Sequence, residues 1–318
     1  MLYLDPKALL AAATLPELMD RMEQALLAEE EGKAILPLRT SVFQGEDTLM
    51  LMPCLEERTW GLKILTLKPG NPAQGRPYID GLVVLFDGGT GAPSALMDGK
   101  LLTSLRTGAI GGLGIRHLSK PDTRSLGLVG AGVQGFWQAR FGCAARDIRE
   151  VWVLDAFPEK LPPFLDRLGQ ALPGVQVRAA RSAEELLERT EAVMSATNAS
   201  VPLYPEDPDR LRGHCFVAIG SYRPDMHEVP DALFGLLDRV YVDTLHALEE
   251  TGDLTGPLER GILRREDVRP LADLLREPRP APETGFYKSV GGALFDLHAA
   301  DLLAQTARAK GLGTELPQ

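Results

Sequence analysis

The stretch RSLGLVGAGVQGFWQARFGCAARDIREVWVLD, from Arg124 to Asp155, decides the fold of this chain. A short apolar run leads into three glycines with the spacing G-x-G-x-x-G. An apolar segment of helical length follows, and a second apolar run ends in Asp155. Strand, glycine turn, helix, strand and acid in this order form the βαβ unit that binds a dinucleotide. The stretch therefore predicts a parallel α/β sheet built around a nucleotide site.

Each glycine of this motif has its own expected role. Gly130 permits the tight turn that leaves the first strand, Gly132 lets the backbone approach a pyrophosphate, and Gly135 lets the helix pack close to the strand. The N-terminus of that helix offers unpaired N–H groups to the phosphates. Asp155 can accept the ribose hydroxyls of NAD and would repel the 2′-phosphate of NADP. We therefore expect NAD(H) as the cofactor, with NADP(H) less favoured.

Composition excludes several classes of partner. The chain has 318 residues, enough for two domains, and its net charge of −10 argues against nucleic-acid and acidic-membrane surfaces. It contains neither an apolar run long enough for a membrane span nor an N-terminal signal-peptide pattern. The cysteines Cys54, Cys143 and Cys215 are odd in number and far apart, as expected of reduced thiols in a cytoplasmic protein. The histidines lack metal-ligand spacing, so no metal is expected.

The part before the glycine motif has a different pattern. One or two amphipathic helices are predicted over residues 6–31, followed by a meander of antiparallel strands. These strands are predicted at TSVFQ, TLMLMPCL, WGLKILTL, DGLVVLFD and Pro93–Met97. A long helix should cover Asp98–Leu118, with Asp98 as its N-cap. The glycines inside that helix indicate that a ligand or another helix approaches it closely.

After Asp155, strands and helices alternate along the chain. Strands are predicted near residues 175–178, 192–196, 215–220 and 239–243, with helices near 159–172 and 182–189. A final helix is expected from about Gly291 to Lys310. The alternation indicates a doubly wound parallel sheet of the Rossmann type, with its ligand at the carboxyl ends of the strands.

A few polar residues stand out, and each has two interpretations. Lys63 lies in an otherwise apolar strand, so it either faces inward and must meet an anion, or points to solvent from the polar face of the strand. Arg39 and Arg106 suit capture of a carboxylate, but each alone could be an ordinary surface arginine. Thr107 could present its hydroxyl to a phosphate or simply pack. Thr197 follows a predicted strand and could contact a cofactor or solvent.

The run DGKLLTSLRTGA from Asp98 to Ala109, followed closely by GAGVQG, resembles the ornithine cyclodeaminase/mu-crystallin family. Further matches extend over almost the whole chain: Leu38-Arg39, Met52-Pro53, Gly61-Leu-Lys63, Asp87 to Pro93, Ala218-Ile-Gly220, Arg223-Pro-Asp225 and Lys288 to Gly291. No single match is specific, but together they are.

The resemblance implies a homodimer of two-domain subunits. Residues 1–118, closed by the C-terminal segment 291–318, would form an α+β domain with antiparallel strands that binds substrate and dimerises. Residues 119–290 would form the NAD-binding Rossmann domain. The resemblance also implies that the active site lies between these two domains, and that the substrate domain pairs with its mate through β-strands.

The resemblance assigns roles to particular residues. Arg39, Lys63 and Arg106 would be catalytic and would hold and polarise a small amino-acid or imine substrate. The substrate-binding set is Arg39, Met52, Lys63, Arg106 and Tyr222. The cofactor-binding set is Thr107, Gly130, Gly132, Val133, Gln134, Gly135, Asp155, Thr197, Ser289 and Val290.

One departure from the family pattern bears on the reaction. Ornithine cyclodeaminases carry an acidic residue where this chain has Tyr222, and the run Ser221 to Asp225 is more similar to the alanine dehydrogenase and ketimine reductase branches. We therefore predict an NAD-dependent oxidoreductase that acts on a small L-amino acid or its imine. The alternatives are an ornithine cyclodeaminase that makes L-proline and ammonia with recycled NAD, and a crystallin-like protein that binds nucleotide and a small ligand without turnover.

Overall fold

The structure is a computed structural model that describes residues 1–317. The chain forms two compact units. Unit 1 comprises Met1–Arg106 together with the segment that begins at Gly292, and unit 2 comprises Thr107–Gly291. The division falls inside a helix, ahead of the predicted boundary at residue 118. The assignment of substrate binding to one unit and NAD binding to the other stays a prediction.

The elements are given in chain order. The first part contains β1 (Leu2–Leu4), α1 (Pro6–Ala12), α2 (Leu15–Glu30), β2 (Thr40–Gln44), β3 (Asp47–Leu55), β4 (Thr59–Leu67), β5 (Ile79–Asp87), β6 (Pro93–Asp98) and α3 (Gly99–Leu118). The middle part contains β7 (Ser125–Val129), α4 (Val133–Ala145), β8 (Glu150–Leu154), α5 (Leu161–Ala171), β9 (Gln176–Ala179), α6 (Ala183–Arg189), β10 (Ala192–Ser195), α7 (Pro208–Leu211), β11 (Cys215–Ala218), β12 (Val240–Val242), α8 (Ala247–Glu250), α9 (Gly252–Glu259), β13 (Val268–Pro270), α10 (Leu271–Arg276) and β14 (Gly285–Lys288). The chain closes with α11 (Ala293–Lys310) and β15 (Thr314–Glu315).

Unit 1 is built on a seven-stranded sheet with the order β15-β1-β6-β5-β4-β3-β2. The predicted meander is confirmed, because β2 to β6 pair as successive antiparallel neighbours. Helix α11 packs against β3, β4 and β5, and α2 packs against α11. On β4 the residues that face the helices are buried, namely Gly61, Lys63 and Leu65. Their neighbours on the other face are more exposed, although they are equally apolar.

The helices of unit 1 begin where the sequence signals predict. The Thr14 hydroxyl and the Glu17 carboxylate form a capping box at the start of α2. The Asp98 carboxylate accepts from the Leu101 N–H at 2.7 Å, which confirms Asp98 as the N-cap of α3. Helix α11 ends at Gly311, whose φ of 64° is the left-handed conformation that glycine adopts readily.

Unit 2 is built on an eight-stranded sheet with the order β13-β12-β14-β11-β10-β7-β8-β9. Every neighbouring pair in it is parallel. The Rossmann fold class is therefore confirmed. Strands β8 and β9 lie on one side of β7, whereas β10, β11 and β14 lie on the other, so the order of the strands reverses between β7 and β10.

Two strands of unit 2 were not predicted from the sequence. Strand β14 lies between β11 and β12, and β13 lies at the edge of the sheet. Strand β14 has only four residues, follows a proline-rich segment and ends in the buried Lys288, so it lacks the apolar length that signals a strand. Over residues 1–317, no helix combines the length and the apolar character needed to cross a membrane.

Candidate active site

Lys63 is buried on the side of β4 that faces α11, with 3% of its surface exposed. Gly61, two residues earlier, lets the helix approach closely, because a Cβ there would lie 2.8 Å from Leu297 Cδ1. The Lys63 Nζ donates to Asp296 Oδ2 at 2.5 Å. Of the two interpretations of this lysine, the inward orientation toward an anion is confirmed and the solvent-facing one is wrong. Its catalytic role stays a prediction.

Asp296 joins a second cation to the same cluster. It lies in the first turn of α11, is 2% exposed, and its Oδ1 accepts from the Arg106 Nε at 3.0 Å. Arg106 is also buried, in α3. Two cations therefore surround one carboxylate inside unit 1, and the cluster carries an excess positive charge. A buried excess charge is costly unless a ligand of opposite sign neutralises it.

The pKa of Lys63 is lowered to about 8. Burial is the main cause, because a charged ammonium loses its hydration there, and the positive charges of Arg106 and Arg39 lower the pKa further. The Asp296 carboxylate opposes this shift. An ammonium with this pKa can both give up and take back a proton near neutral pH, as general acid–base catalysis requires.

The other residues predicted to bind substrate fall in two places. Arg39 is exposed just before β2, but its charge acts on Lys63. Met52 stands directly opposite Lys63 in the pairing of β3 with β4, on the same face of the sheet. Unit 1 thus brings Arg39, Met52, Lys63 and Arg106 together. Tyr222 belongs to unit 2, where it follows β11 and is 42% exposed.

The glycine turn of unit 2 has the geometry that the motif predicts. Gly130 has a φ of 107°, and a Cβ there would lie 2.6 Å from the Ala196 carbonyl oxygen. A Cβ on Gly135 would overlap the Gly130 carbonyl oxygen. At Gly132, the N-cap of α4, a Cβ would meet only open space. Gly130 and Gly135 are needed for packing, whereas Gly132 leaves room for a phosphate group beside the helix N-terminus.

Asp155 is fixed beside this turn. Its Oδ2 accepts from the Ala131 N–H at 2.6 Å, and its Oδ1 accepts from the Phe157 N–H at 2.9 Å. The carboxylate is only partly buried, so it can also accept hydroxyl groups from a ligand. Open space at Gly132, free helical N–H groups and an oriented acid together fit an unphosphorylated adenosine ribose and its pyrophosphate.

The remaining residues predicted to bind the cofactor also lie in unit 2. Val133 is 63% exposed at the start of α4, next to the partly buried Gln134. Thr107 is buried, and its carbonyl accepts from the Gln138 Nε2 at 2.9 Å. Thr197 follows β10, whereas Ser289 and Val290 follow β14. The strands β10, β11 and β14 are neighbours in the sheet, so Thr197, Tyr222 and Ser289 all follow carboxyl ends along one edge.

Four buried acids were missed from the sequence: Glu228, Asp243, Asp253 and Asp296. Asp243 accepts from the Ser289 hydroxyl at 2.6 Å and from the Gly291 N–H at 2.7 Å, and burial raises its pKa. The sequence does mark Asp296 as unusual, since it is the one acid in the apolar run GGALFDLHAA. Its partners Lys63 and Arg106 are distant in sequence, so no local pattern could connect it with them. No group of three or more His, Cys, Asp or Glu side chains is arranged to hold a metal ion within the described residues.

Comparison with known proteins gives consistent matches over most of the chain. Residues 8–311 match the model of the ornithine cyclodeaminase/mu-crystallin family. A Bacillus cereus Delta(1)-pyrroline-2-carboxylate reductase is 33% identical over 305 residues, which cover 92% of this chain and 93% of the relative.

Two solved structures superpose on nearly the full length of this chain. The Thermococcus litoralis Delta(1)-pyrroline-2-carboxylate reductase, in complex with NADH and L-proline, superposes with a TM-score of 0.90 at 28% identity, covering 99% of this chain and 100% of that one. A probable ornithine cyclodeaminase from Bordetella pertussis superposes with a TM-score of 0.86, also at 28% identity, with coverage of 99% and 100%.

Proposed function

The chain belongs to the ornithine cyclodeaminase/mu-crystallin family, and from this premise we propose that it is an NAD-dependent oxidoreductase that interconverts a small imine carboxylate and the corresponding L-amino acid. The observation that carries the proposal is the buried cluster of Lys63, Arg106 and Asp296 in unit 1. Its excess positive charge suits a small carboxylate, and its lysine has a pKa suited to proton transfer at nitrogen.

The proposed substrate is the cyclic imine Delta(1)-pyrroline-2-carboxylate, and the product is L-proline. Two relatives named for this reduction support the choice, one from Bacillus cereus and one from Thermococcus litoralis with NADH and L-proline bound. Tyr222 offers no carboxylate to a substrate's side-chain amine, which favours imine reduction over cyclodeamination.

The residues of the cluster have separate tasks in this reaction. NADH, when bound, supplies the hydride that reduces the α-carbon, and becomes NAD⁺. Lys63 donates a proton from Nζ to the imine nitrogen, so that the C=N bond becomes an amine. Arg106 holds the substrate carboxylate and fixes the α-carbon, with the charge of Arg39 in support. Asp296 orients Nζ and keeps Lys63 partly charged in spite of its burial.

The cofactor is held by residues of unit 2. The N–H groups of Val133 and Gln134, in the first turn of α4, would bind the pyrophosphate, for which Gly132 leaves space. Asp155 would accept the adenosine ribose hydroxyls, and its charge would disfavour the 2′-phosphate of NADP(H). Thr107, Thr197, Ser289 and Val290 complete the proposed cofactor site.

The test is a coupled measurement of two products. Purified protein is incubated with Delta(1)-pyrroline-2-carboxylate and NADH, and both the loss of NADH absorbance and the L-proline formed are followed. We expect one L-proline for each NADH oxidised. NADH binding without any imine reduction, across a screen that also includes alanine and open-chain imines, would contradict the proposed reaction and favour a binding protein without turnover.

Cyclodeamination is the second candidate, because the Bordetella pertussis structure named as a probable ornithine cyclodeaminase superposes with a TM-score of 0.86 at the same 28% identity. That reaction consumes no net NADH. Incubation with L-ornithine and a catalytic amount of NAD would then yield L-proline and ammonia without a lasting change in NADH absorbance. We expect no L-proline in this assay, and its appearance would replace imine reduction as the assigned activity.

We propose that the protein is a homodimer that pairs through unit 1. The outer face of its sheet, away from α11, is apolar although no described helix covers it. This face carries Leu49, Leu51, Trp60, Leu62, Ile64, Leu82, Val84 and Phe86. An exposed apolar surface of this extent is typical of an interface between subunits.

A matched pair of substitutions tests the dimer. Leu82→Glu places a charge on the outer face, where Leu82 is 43% exposed, and should shift the molar mass in light scattering from two chains to one. Leu10→Glu changes a 51% exposed leucine on α1 and should leave the mass unchanged. A wild-type mass of one chain would contradict the proposal.

We also infer a cytoplasmic location from the free Cys54, Cys143 and Cys215, which cell fractionation would check.

A further inference from the structure

The topology of unit 2 divides a bound dinucleotide into two halves. A doubly wound sheet binds its ligand outside the carboxyl ends of the strands, where the strand order reverses, which here is between β7 and β10. The glycine turn follows β7 and Asp155 follows β8, so the adenosine half lies on that side. The nicotinamide half must therefore lie over the ends of β10 and β11.

Glu228 lies beneath the loops that follow those two strands. It is 0% exposed and is one of the acids missed from the sequence. Its Oε1 accepts from both the N–H and the hydroxyl of Thr197, each at 2.8 Å. Its Oε2 accepts from the N–H groups of Gly220 at 2.8 Å and Ser221 at 3.3 Å. One carboxylate thus joins the loop after β10 to the loop after β11.

Three of the four groups that contact the Glu228 carboxylate are backbone N–H groups, which can only donate, and the fourth is the Thr197 hydroxyl. Burial raises the pKa of Glu228, and the positive charge of Lys288 opposes that shift. Lys288, at the end of β14, forms an ion pair of 3.0 Å with Asp253. Asp253 Oδ1 in turn accepts from the Glu228 N–H at 2.6 Å. Glu228 is therefore held in place at its backbone by Asp253 and at its carboxylate by the two loops.

The two loops are also in direct contact. A Cβ on Gly220 would overlap the backbone of Thr197 and approach the Glu228 carboxylate. Only glycine therefore allows the loop after β11 to lie against the loop after β10. Any displacement of one loop displaces the other.

We propose that Glu228 is a positioning residue for the nicotinamide half of NAD(H), which acts by holding Thr197 and Gly220-Ser221 in one fixed arrangement. The inference rests on the proposed use of NAD(H). Glu228 is fully buried and offers no surface to a ligand, so its influence passes through the loops. The adenosine half, bound at the glycine turn and Asp155, should not depend on it.

The experiment compares two ligands in two variants. Glu228→Gln keeps the shape of the side chain but turns an amide N–H₂ toward two of the four donors. The control is Glu191→Gln, because the Glu191 Oε2 likewise accepts from the N–H groups of Arg124 and Ser125, but at the start of β7. Binding of NADH and of ADP-ribose, which lacks the nicotinamide, is measured for each by calorimetry.

We expect Glu228→Gln to weaken NADH binding about tenfold, as the loss of hydrogen bonds to a charged group would do, with ADP-ribose binding unchanged. Glu191→Gln should change neither. Equal losses for both ligands, or unchanged NADH binding, would overturn the inference. If Glu228→Gln does not fold, Gly220→Ala must show the same selective loss, since it displaces both loops without changing any charge. In the wild-type protein, rapid hydrogen exchange at the Thr197 and Gly220 amides would also overturn the inference.

These results separate the inference from the proposed reaction. A wild-type protein that binds NADH but reduces no imine would contradict the reaction, while the selective loss in Glu228→Gln would still support the positioning role. Normal imine reduction together with unchanged NADH binding in Glu228→Gln would overturn the positioning role alone.

Discussion

Each unit of the molecule buries one lysine against one aspartate, yet the two pairs differ in what surrounds them. In unit 1, Lys63 pairs with Asp296, and a second cation, Arg106, joins the same carboxylate. In unit 2, Lys288 pairs with Asp253. All of these side chains are buried, so burial alone does not distinguish a reactive site from a supporting one.

The difference lies in how the excess charge is satisfied. The surplus in unit 1 is positive, and a cation can be neutralised by an anionic ligand. The surplus in unit 2 is acidic, and its carboxylates already accept from donors of the chain: Glu228 from four, and Asp243 from the Ser289 hydroxyl and the Gly291 N–H among others. A buried charge that its own chain saturates acts as framework, whereas one that remains in excess indicates a ligand site.

The largest expected effect concerns the framework pair. Lys288→Met removes one partner of a fully buried ion pair and leaves Asp253 uncompensated, so the free energy of unfolding should fall by about 3–5 kcal/mol. Urea unfolding followed by circular dichroism checks this. A change within about 0.5 kcal/mol, the range typical of surface substitutions, would break the comparison, because Lys288 would then not be a supporting residue.

The next effect concerns the excess cation. Arg106→Gln removes the proposed partner of the substrate carboxylate, so the KM for the imine should rise by about tenfold to a hundredfold, as the loss of a charge-assisted hydrogen bond would do. The KM for NADH should not change. Arg116→Gln, in the last turn of the same helix, is the control. An unchanged KM for the imine in Arg106→Gln would remove this residue from the substrate site.

Cofactor choice should depend on one acid of unit 2. Asp155→Ala should raise the KM for NADH about tenfold, because the ribose hydroxyls lose their acceptor, and should improve the use of NADPH. Asp147→Ala removes a half-exposed acid from the same unit and should have neither effect. Steady-state kinetics with both cofactors gives the answer. An unaltered preference for NADH in Asp155→Ala would show that another residue determines the choice between NADH and NADPH.

The pH dependence should reflect the charge balance of unit 1. Imine reduction needs the protonated Lys63, so kcat/KM for the imine should fall as pH rises through about 8, whereas oxidation of L-proline should rise over the same range. Asp296 raises the pKa of Lys63, so Asp296→Asn should move both transitions to lower pH. Profiles that move to higher pH, or that do not move, would contradict the assignment of Lys63 as the proton donor.

The dinucleotide turn could be predicted from the sequence because its parts are contiguous. Gly130, Gly135 and Asp155 act within one βαβ unit, so their spacing alone fixes their contacts. Lys63 was ambiguous for a physical reason: β4 is apolar on both faces, with Leu62 outward and Leu65 inward, so alternation could not show which way the lysine points. The partner of Lys63 lies 233 positions later in the chain, beyond any local pattern.

The supporting network was missed for a related reason. Glu228 has no regular element around it, and it contacts two loops through backbone N–H groups that have no sequence signature. Lys288 ends the short strand β14, which the periodicity did not predict. Candidate site residues of conventional type could therefore be named from the sequence, whereas the buried residues that support the loops could not.

The most direct test of the proposed site is a side-by-side measurement of Lys63→Met and Lys288→Met, in which kcat/KM for Delta(1)-pyrroline-2-carboxylate and the melting temperature are recorded for both. Lys63→Met should lose imine reduction by about 10²- to 10⁴-fold, the range for removal of a general acid, while NADH binding persists. Its melting temperature should hold, because Arg106 and Asp296 remain as a balanced pair. Lys288→Met should instead lose stability. Retained imine reduction in Lys63→Met would contradict the account.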